Sequence, residues 1–258
     1  MTVRSRNFHS LGNENVNESR HSDPILQQSE GEDKMYRKYY EAYDDRYNQI
    51  HSDNLQWFHD NPSHIVMETI NAYSISKDQR ILEIGCGEGR DAYPLLLQGF
   101  NLLATDVSSE AIRFCRNKWK KYEESFQILD CVADTFNSKF DFIFAVAVVH
   151  MLVLDEDRNA FYGFIRDHLE PTGIGLICTM GDGCTERQTD INTAFTLQNR
   201  IHDQTGREVR IAGTSCRMVG FQTFRQELER NGLAIIEQGY TSVEPDFPQM
   251  MFAVVKRL

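Results

Sequence analysis

The stretch Ile81-Leu82-Glu83-Ile84-Gly85-Cys86-Gly87-Glu88-Gly89-Arg90-Asp91 decides the fold. A run of isoleucine and leucine enters a turn with glycine at alternate positions, and a helical pattern follows at once. Glycines let the backbone approach a ligand closely, and a helix beginning there favours a bound polar group. The spacing is G-x-G-x-G with an acidic residue two positions before the first glycine, unlike the G-x-G-x-x-G that cradles a pyrophosphate. Glu83 so close to the turn disfavours a pyrophosphate and favours a ligand carrying an ammonium group.

Working outward, Asp106 closes the run Leu102-Leu103-Ala104-Thr105, seventeen residues after Gly89. A carboxylate at the end of a second strand can accept both hydroxyls of a ribose. Asp130-Cys131 follows a third run, Phe126 to Leu129, where a carboxylate can accept a hydrogen bond from an exocyclic adenine amine. Further runs at Phe140 to Val149 and Gly173 to Thr179 complete the set that starts with Arg80 to Ile84. They alternate with helical stretches near Asp91 to Gln98, Ser109 to Lys120 and Glu156 to His168. Such alternation is the pattern of βαβ units and a parallel sheet, whose ligands bind at the strands' C-terminal ends. A helix near Phe221 to Asn231 precedes runs at Leu233 to Tyr240 and Met251 to Val255, and their short linker predicts a closing antiparallel hairpin.

Residues 1–33 are rich in Asn, Ser, Glu and Gln and read as a flexible tail. Tyr36, Tyr39, Tyr40, Tyr43 and Tyr47 share one helical face, and Asn61-Pro62 predicts the start of a second helix with Ile65, Val66, Thr69 and Ile70 as its buried stripe. These make 34–76 an N-terminal helical cap on a domain that fills 34–258. Residues 181–220 exceed what a minimal fold of this kind needs and read as an acceptor-specificity insert.

With 27 Lys and Arg against 38 Asp and Glu, the net charge of −11 argues against nucleic acid as a partner, because phosphate-backbone binding relies on clustered positive charge. No apolar run is long enough to span a membrane. The six cysteines show no metal-ligand spacing and no disulfide-scaffold density, so they read as reduced thiols with no metal. With no secretory pattern in the first residues, the expected location is the cytoplasm.

Glu83 to Gly89, Asp106, Asp130 and the run Phe140-Asp141-Phe142-Ile143-Phe144-Ala145 resemble the successive motifs of class I S-adenosylmethionine-dependent methyltransferases. Gly87 to Ala92 and Val148-Val149-His150-Met151-Leu152 are similar to the tellurite-resistance and thiopurine branch. The resemblance implies a Rossmann-like α/β fold with a seven-stranded, mostly parallel sheet. It implies S-adenosyl-L-methionine as cofactor, with Glu83, Gly85 and Gly87 at the methionine moiety, Asp106 at the ribose, Asp130 and Cys131 at the adenine, and Ala145 at the sulfonium. Cys86, Gly89, Arg90 and Val107 belong to the same expected cofactor set. An N/D-P-P-Y/F motif after the fourth strand is missing, which disfavours DNA and protein-glutamine acceptors.

Methyl transfer needs alignment and exclusion of water more than a covalent nucleophile. A general base helps a hydroxyl or ammonium acceptor, and His150, just past the fourth strand, is the expected one. Tyr39, Tyr40, Tyr43 and Trp57 are candidate lid residues over the acceptor. In the insert, Arg217 is the expected contact to an acceptor carboxylate or phosphate. The expected activity is methylation of an O, N or S atom of a small molecule, with oligomeric state open. The alternatives are methylation of a protein or peptide side chain, or a cofactor-binding module without turnover.

Overall fold

Strand β1 (Arg80–Ile84) buries its last four residues and pairs in parallel with β2 (Asn101–Asp106) on one side and β4 (Phe140–Val146) on the other. β3 (Phe126–Ile128) extends the sheet beyond β2, and β5 (Leu169–Met180) lies beyond β4. The last two strands, β6 (Leu233–Val243) and β7 (Phe247–Arg257), form the expected antiparallel hairpin, and β7 also pairs antiparallel with β5. The sheet thus has seven strands in the order β6-β7-β5-β4-β1-β2-β3. Connections run outward in opposite directions from the β1/β4 boundary, and the crevice above such a reversal is where open α/β sheets hold ligands. This computed structural model describes residues 37–258, so the expected tail, residues 34–36 of the cap and Tyr36 lie outside the described residues.

Alternation along the strands feeds one core on each face of the sheet. Leu82, Ile84, Ile143 and Ala145 join Phe161, Ile165, Phe224 and Leu228 from helices α5 (Asp155–His168) and α6 (Phe221–Arg230). Ile81, Phe142, Phe144 and Val146 meet α2 (His64–Ala72), α3 (Ala92–Leu97) and α4 (Ser109–Lys118) on the other face. Among the described residues no helix is long and apolar enough to cross a membrane.

The cap differs from the expected single tyrosine helix. Tyr39 and Tyr40 lie in a 3-10 turn, Tyr39–Glu41, and α1 (Ala42–Ser52) begins after it. The two adjacent phenols reach separate anchors: Tyr39 donates to Asp157 at 2.7 Å and Tyr40 to Asp130 at 3.0 Å. Helix α2 starts at His64 rather than at Pro62, because Ser63 N and Oγ both donate to Asp91, at 2.6 and 2.8 Å. Its stripe Ile65, Val66, Thr69 and Ile70 is buried as the periodicity predicts.

The segment 181–220 holds two small antiparallel pairs, Arg187–Gln188 with Arg217–Met218 and Leu197–Ile201 with Glu208–Ala212. The second hairpin packs Val209 and Ile211 on Ile50 of α1, flanked by Leu55 and Trp57. Arg46 of α1, itself buried, donates to the carbonyls of Ala212 and Gly213 and to Thr214 Oγ1, at 2.7 to 3.3 Å. Removing the guanidinium would take a donor from each of these oxygens, so Arg46 ties the insert to the cap.

Candidate cofactor and acceptor site

Above the β1/β4 boundary is a pocket with about 980 Å³ of space free of protein atoms, counted out to its mouth. Its floor is the glycine turn. Gly85 and Gly87 have φ of +72° and +52°, in the left-handed region. A Cβ on Gly85 would collide with Val148, and one on Gly87 would stand 2.7 Å from the Tyr47 hydroxyl. Both positions therefore need glycine for backbone shape and for clearance. Glu83, Gly85, Cys86, Gly87, Arg90, Asp106, Val107, Asp130 and Cys131 all line this pocket. Gly89 does not; it is packed under Trp119.

The acidic residues differ in environment. Asp106 accepts from Gly87 N at 2.8 Å and Ser108 N at 2.8 Å, which locks the turn to the end of β2. Burial still pushes its pKa up to about 6, against the pull of those two N–H groups. Glu83 is buried in β1, just before the turn, and its Oε2 has no hydrogen-bond partner among the described residues. Burial holds its pKa well above the carboxylate range, the charge of Asp91 adds to this, and Arg90 opposes it. Asp130 takes Lys38 Nζ at 2.8 Å and Tyr40 at 3.0 Å on Oδ2, and Val132 N at 2.9 Å on Oδ1. It joins the cap to the pocket as well as lining it.

Beyond β4 the chain turns sharply, with Ala147 at φ +62°. Val146, Ala147 and Val148 form the wall expected of Ala145, which lies one residue deeper, fully buried in β4 and outside the lining. A 3-10 turn, Val149–Met151, then presents Met151 and Leu152 to the pocket. Arg158 fixes this turn by donating to the carbonyls of Val149 at 2.7 Å and Leu152 at 3.2 Å. Its charge is met by Glu227 in a fully buried pair, and Tyr162 also donates to Glu227.

His150, in the middle of that turn, does not have the placement of a base. It is buried outside the lining, with its Nδ1 unbonded and its ring edge-on to Phe247. Burial, with the charge of Arg158 adding to it, pushes its pKa down to about 3, so it has little proton affinity at neutral pH. A different histidine lines the pocket: His59, whose Nδ1 is 2.9 Å from Asp246.

Of the expected acceptor contacts, Tyr43 lines the pocket and donates to Ser215 O at 2.9 Å. Tyr39, Trp57 and Arg217 do not. Besides donating to Asp157, Tyr39 accepts from the N–H groups of Val153 and Leu154; Trp57 lies under the Arg46 guanidinium. Arg217 donates to Val153 O at 2.8 Å and Asp155 at 2.6 Å. No residue of 181–220 lines the pocket, so the insert reaches it through residues that do, as where His202 Nε2 lies 2.6 Å from Gln56 O and Ser215 Oγ donates to Met151 O at 2.7 Å. Sequence reasoning missed Phe58, His59, Met151, Leu152 and Phe247 as lining residues. The aromatic character of Phe58 and Phe247 was the only signal, and both stand far in sequence from the glycine turn.

Residues 82–174 match the family described as a methyltransferase domain. The ubiquinone biosynthesis O-methyltransferase of Rickettsia canadensis is 26% identical over 119 residues, 45% of this chain and 49% of that protein. A probable S-adenosyl-L-methionine-dependent methyltransferase, TehB, of Haemophilus influenzae is 27% identical over 111 residues, 42% of this chain and 37% of that one. The chain thus spans under half the length of these curated relatives. Among solved structures, the CcbJ methyltransferase from Streptomyces caelestis superposes with a TM-score of 0.61 at 14% identity, over 83% of this chain and 98% of that one, a likeness of fold. Fold, motif order and the match at residues 82–174 agree: this part of the chain matches a methyltransferase domain and is similar to the class I S-adenosylmethionine-dependent methyltransferases, with a tellurite-resistance-type relative among its matches.

Proposed function

We propose that the protein methylates an O, N or S atom of a small molecule held between the glycine turn and the aromatic cap. The observation that carries this is the lining of the pocket. Tyr40, Tyr43 and Tyr47 of the cap, with Phe58 and Phe247, line it with aromatic rings, and Tyr47 comes so near the turn that a Cβ on Gly87 would stand 2.7 Å from its hydroxyl. A largely apolar pocket of this kind suits a small acceptor better than a side chain on a folded protein.

The lining fits the cofactor. Bare Glu83 Oε2 suits an ammonium, Asp106 keeps acceptor capacity for ribose hydroxyls beyond its two backbone bonds, and Val107, Leu129 and Val132 give apolar walls for a planar base. Bound there, the cofactor supplies a methyl group activated on a sulfonium. The chain's part is to align and dehydrate. The wall at Val146 to Val148 and the cap tyrosines exclude water, and holding the reactants about 3 to 3.5 Å apart supplies much of the acceleration. For an acceptor that must lose a proton, His59 is the base this reading assigns: Asp246 holds its Nδ1, leaving Nε2 to take the proton. The unpaired state of all six cysteines supports a cytoplasmic setting.

The test is release of adenosylhomocysteine on incubation with fractionated metabolite pools. Turnover on a low-molecular-mass fraction supports the proposal; turnover confined to protein fractions refutes the small-molecule assignment.

A further inference from the structure

Residues 53–63 join α1 to α2 and bring Phe58, His59 and Asp60 to the pocket. From Gln56 to Ser63 no N–H donates to a backbone carbonyl among the described residues. The N–H groups that are bonded all donate to carboxylates: Trp57 N and Phe58 N to the two oxygens of Glu88 at 2.8 and 2.9 Å, His59 N to Asp246 at 3.2 Å, and Ser63 N to Asp91 at 2.6 Å. Backbone groups shielded from water must find partners, so acidic side chains and not a backbone ladder give this segment its shape. Glu88 acts from inside the glycine turn, buried between Gly87 and Gly89. His51 Nε2, 2.9 Å from its Oε1, orients the carboxylate from a third side.

We propose that Glu88 is a positioning residue for the acceptor half of the pocket: it sets the backbone at Trp57 and Phe58 and thereby places His59. The assignment rests on the reading of His59 as the base. Asp246 holds the imidazole at Nδ1, while Glu88 holds the two residues before it. A carboxylate offers one oxygen to each of two adjacent N–H groups, and bonds assisted by a full charge are the strong ones. Glutamine keeps the length but turns an NH2 group toward one of the donors. A base displaced by about 1 Å can lose about a hundredfold in rate. Since Glu88 belongs to the turn that would seat the cofactor, donor and base are set from one piece of backbone, whichever acceptor lies between them.

Full-length protein labelled with fluorotryptophan reports the two sites separately. Trp57 lies in the segment, Trp119 packs over Gly89 and reports the turn, and Trp57→Phe assigns the two signals. In Glu88→Gln the Trp57 fluorine signal should shift and broaden while that of Trp119 stays, adenosylhomocysteine affinity should hold within about threefold, and turnover on the low-molecular-mass pool should fall roughly tenfold to a hundredfold. Glu88→Gln added to His59→Ala should cost nothing further, because a positioning residue acts only through the group it places. Glu88→Asp, which keeps both oxygens, should recover part of the loss, and it carries the same readouts if the glutamine variant does not fold. An unmoved Trp57 signal, or losses that add in the double variant, would overturn the assignment. A Trp119 signal that moves together with weakened adenosylhomocysteine binding would also overturn it, marking Glu88 as a support of the turn. Wild type without turnover on any pool, or His59→Ala at wild-type turnover, sinks the underlying reading of the base and takes this assignment with it.

Discussion

Tyr40 donates its hydroxyl to Asp130 over 3.0 Å, so the cap is bonded to the acidic residue two positions past β3 in the lining of the candidate pocket. Burial, with the charge of Asp130 adding to it, pushes the Tyr40 pKa far upward, which keeps the phenol a donor at any ordinary pH. Cap and cofactor pocket therefore share a residue. Tyr40→Phe should weaken cofactor binding about tenfold, the scale of one hydrogen bond to a charged group, with little change in fold. Titration of adenosylhomocysteine and circular dichroism of the variant measure the two effects.

A second latch lies at the other end of α1. His51 bridges Glu88 at 2.9 Å and Glu110 at 2.7 Å, stacked on Phe114. Burial alone would lower its pKa, but the two carboxylates outweigh burial and hold it above the ordinary value. A raised histidine stabilises fully below about pH 6.5 and loses that contribution as pH rises through the folded value. Wild type should lose more thermal stability than His51→Gln between pH 6 and pH 9, an interval about the ordinary histidine pKa. Parallel melting curves across that interval would count against the latch.

His59, in the pocket lining, and His150, buried outside it, make opposite predictions. His59→Ala should lower turnover on a proton-losing acceptor by about a hundredfold, whereas His150→Asn should stay within about threefold of wild type. His150 should show itself in acid stability instead. With its folded pKa down at about 3, the unfolded chain binds the extra proton between that value and about 6.5, so stability drops as pH falls through the window. Replacing His150 should flatten that part of the melting profile.

Arg158 and Glu227 form a fully buried pair under the wall of the pocket. Removing one partner leaves a buried charge uncompensated, so Arg158→Met should cost about 3 to 5 kcal/mol by denaturant unfolding. The double change to apolar residues should recover much of this loss.

Much of the fold is legible locally. Arg80 to Ile84 reads as a strand because its apolar run is short and bounded, and the glycine turn with Asp106 reads as a ligand site because chemistry and spacing coincide within one βαβ unit. What is not legible depends on distance or on a single turn. Phe247 reaches the pocket only because β7 inserts beside β5, and no local pattern encodes that contact. His59 lines the pocket and His150 does not, because a 3-10 turn buries His150 while a pairing with Asp246, 187 residues away in sequence, holds His59 there. Ala145 misses by one residue, since strand alternation sends it into the core with α5 and leaves Val146 in the lining. The arginines of 181–220 suggest substrate recognition by composition; in three dimensions Arg217 is spent on Val153 and Asp155.

Calorimetric titration of the protein with S-adenosylmethionine, beside NAD and on Asp106→Ala, tests the central claim most directly. The account predicts saturable one-site binding of S-adenosylmethionine by wild type, no binding of NAD, and at least a tenfold loss of affinity in Asp106→Ala, where the carboxylate that would meet the ribose is gone. Wild-type protein that ignores S-adenosylmethionine, or an Asp106→Ala variant that binds it unchanged, would contradict the site described.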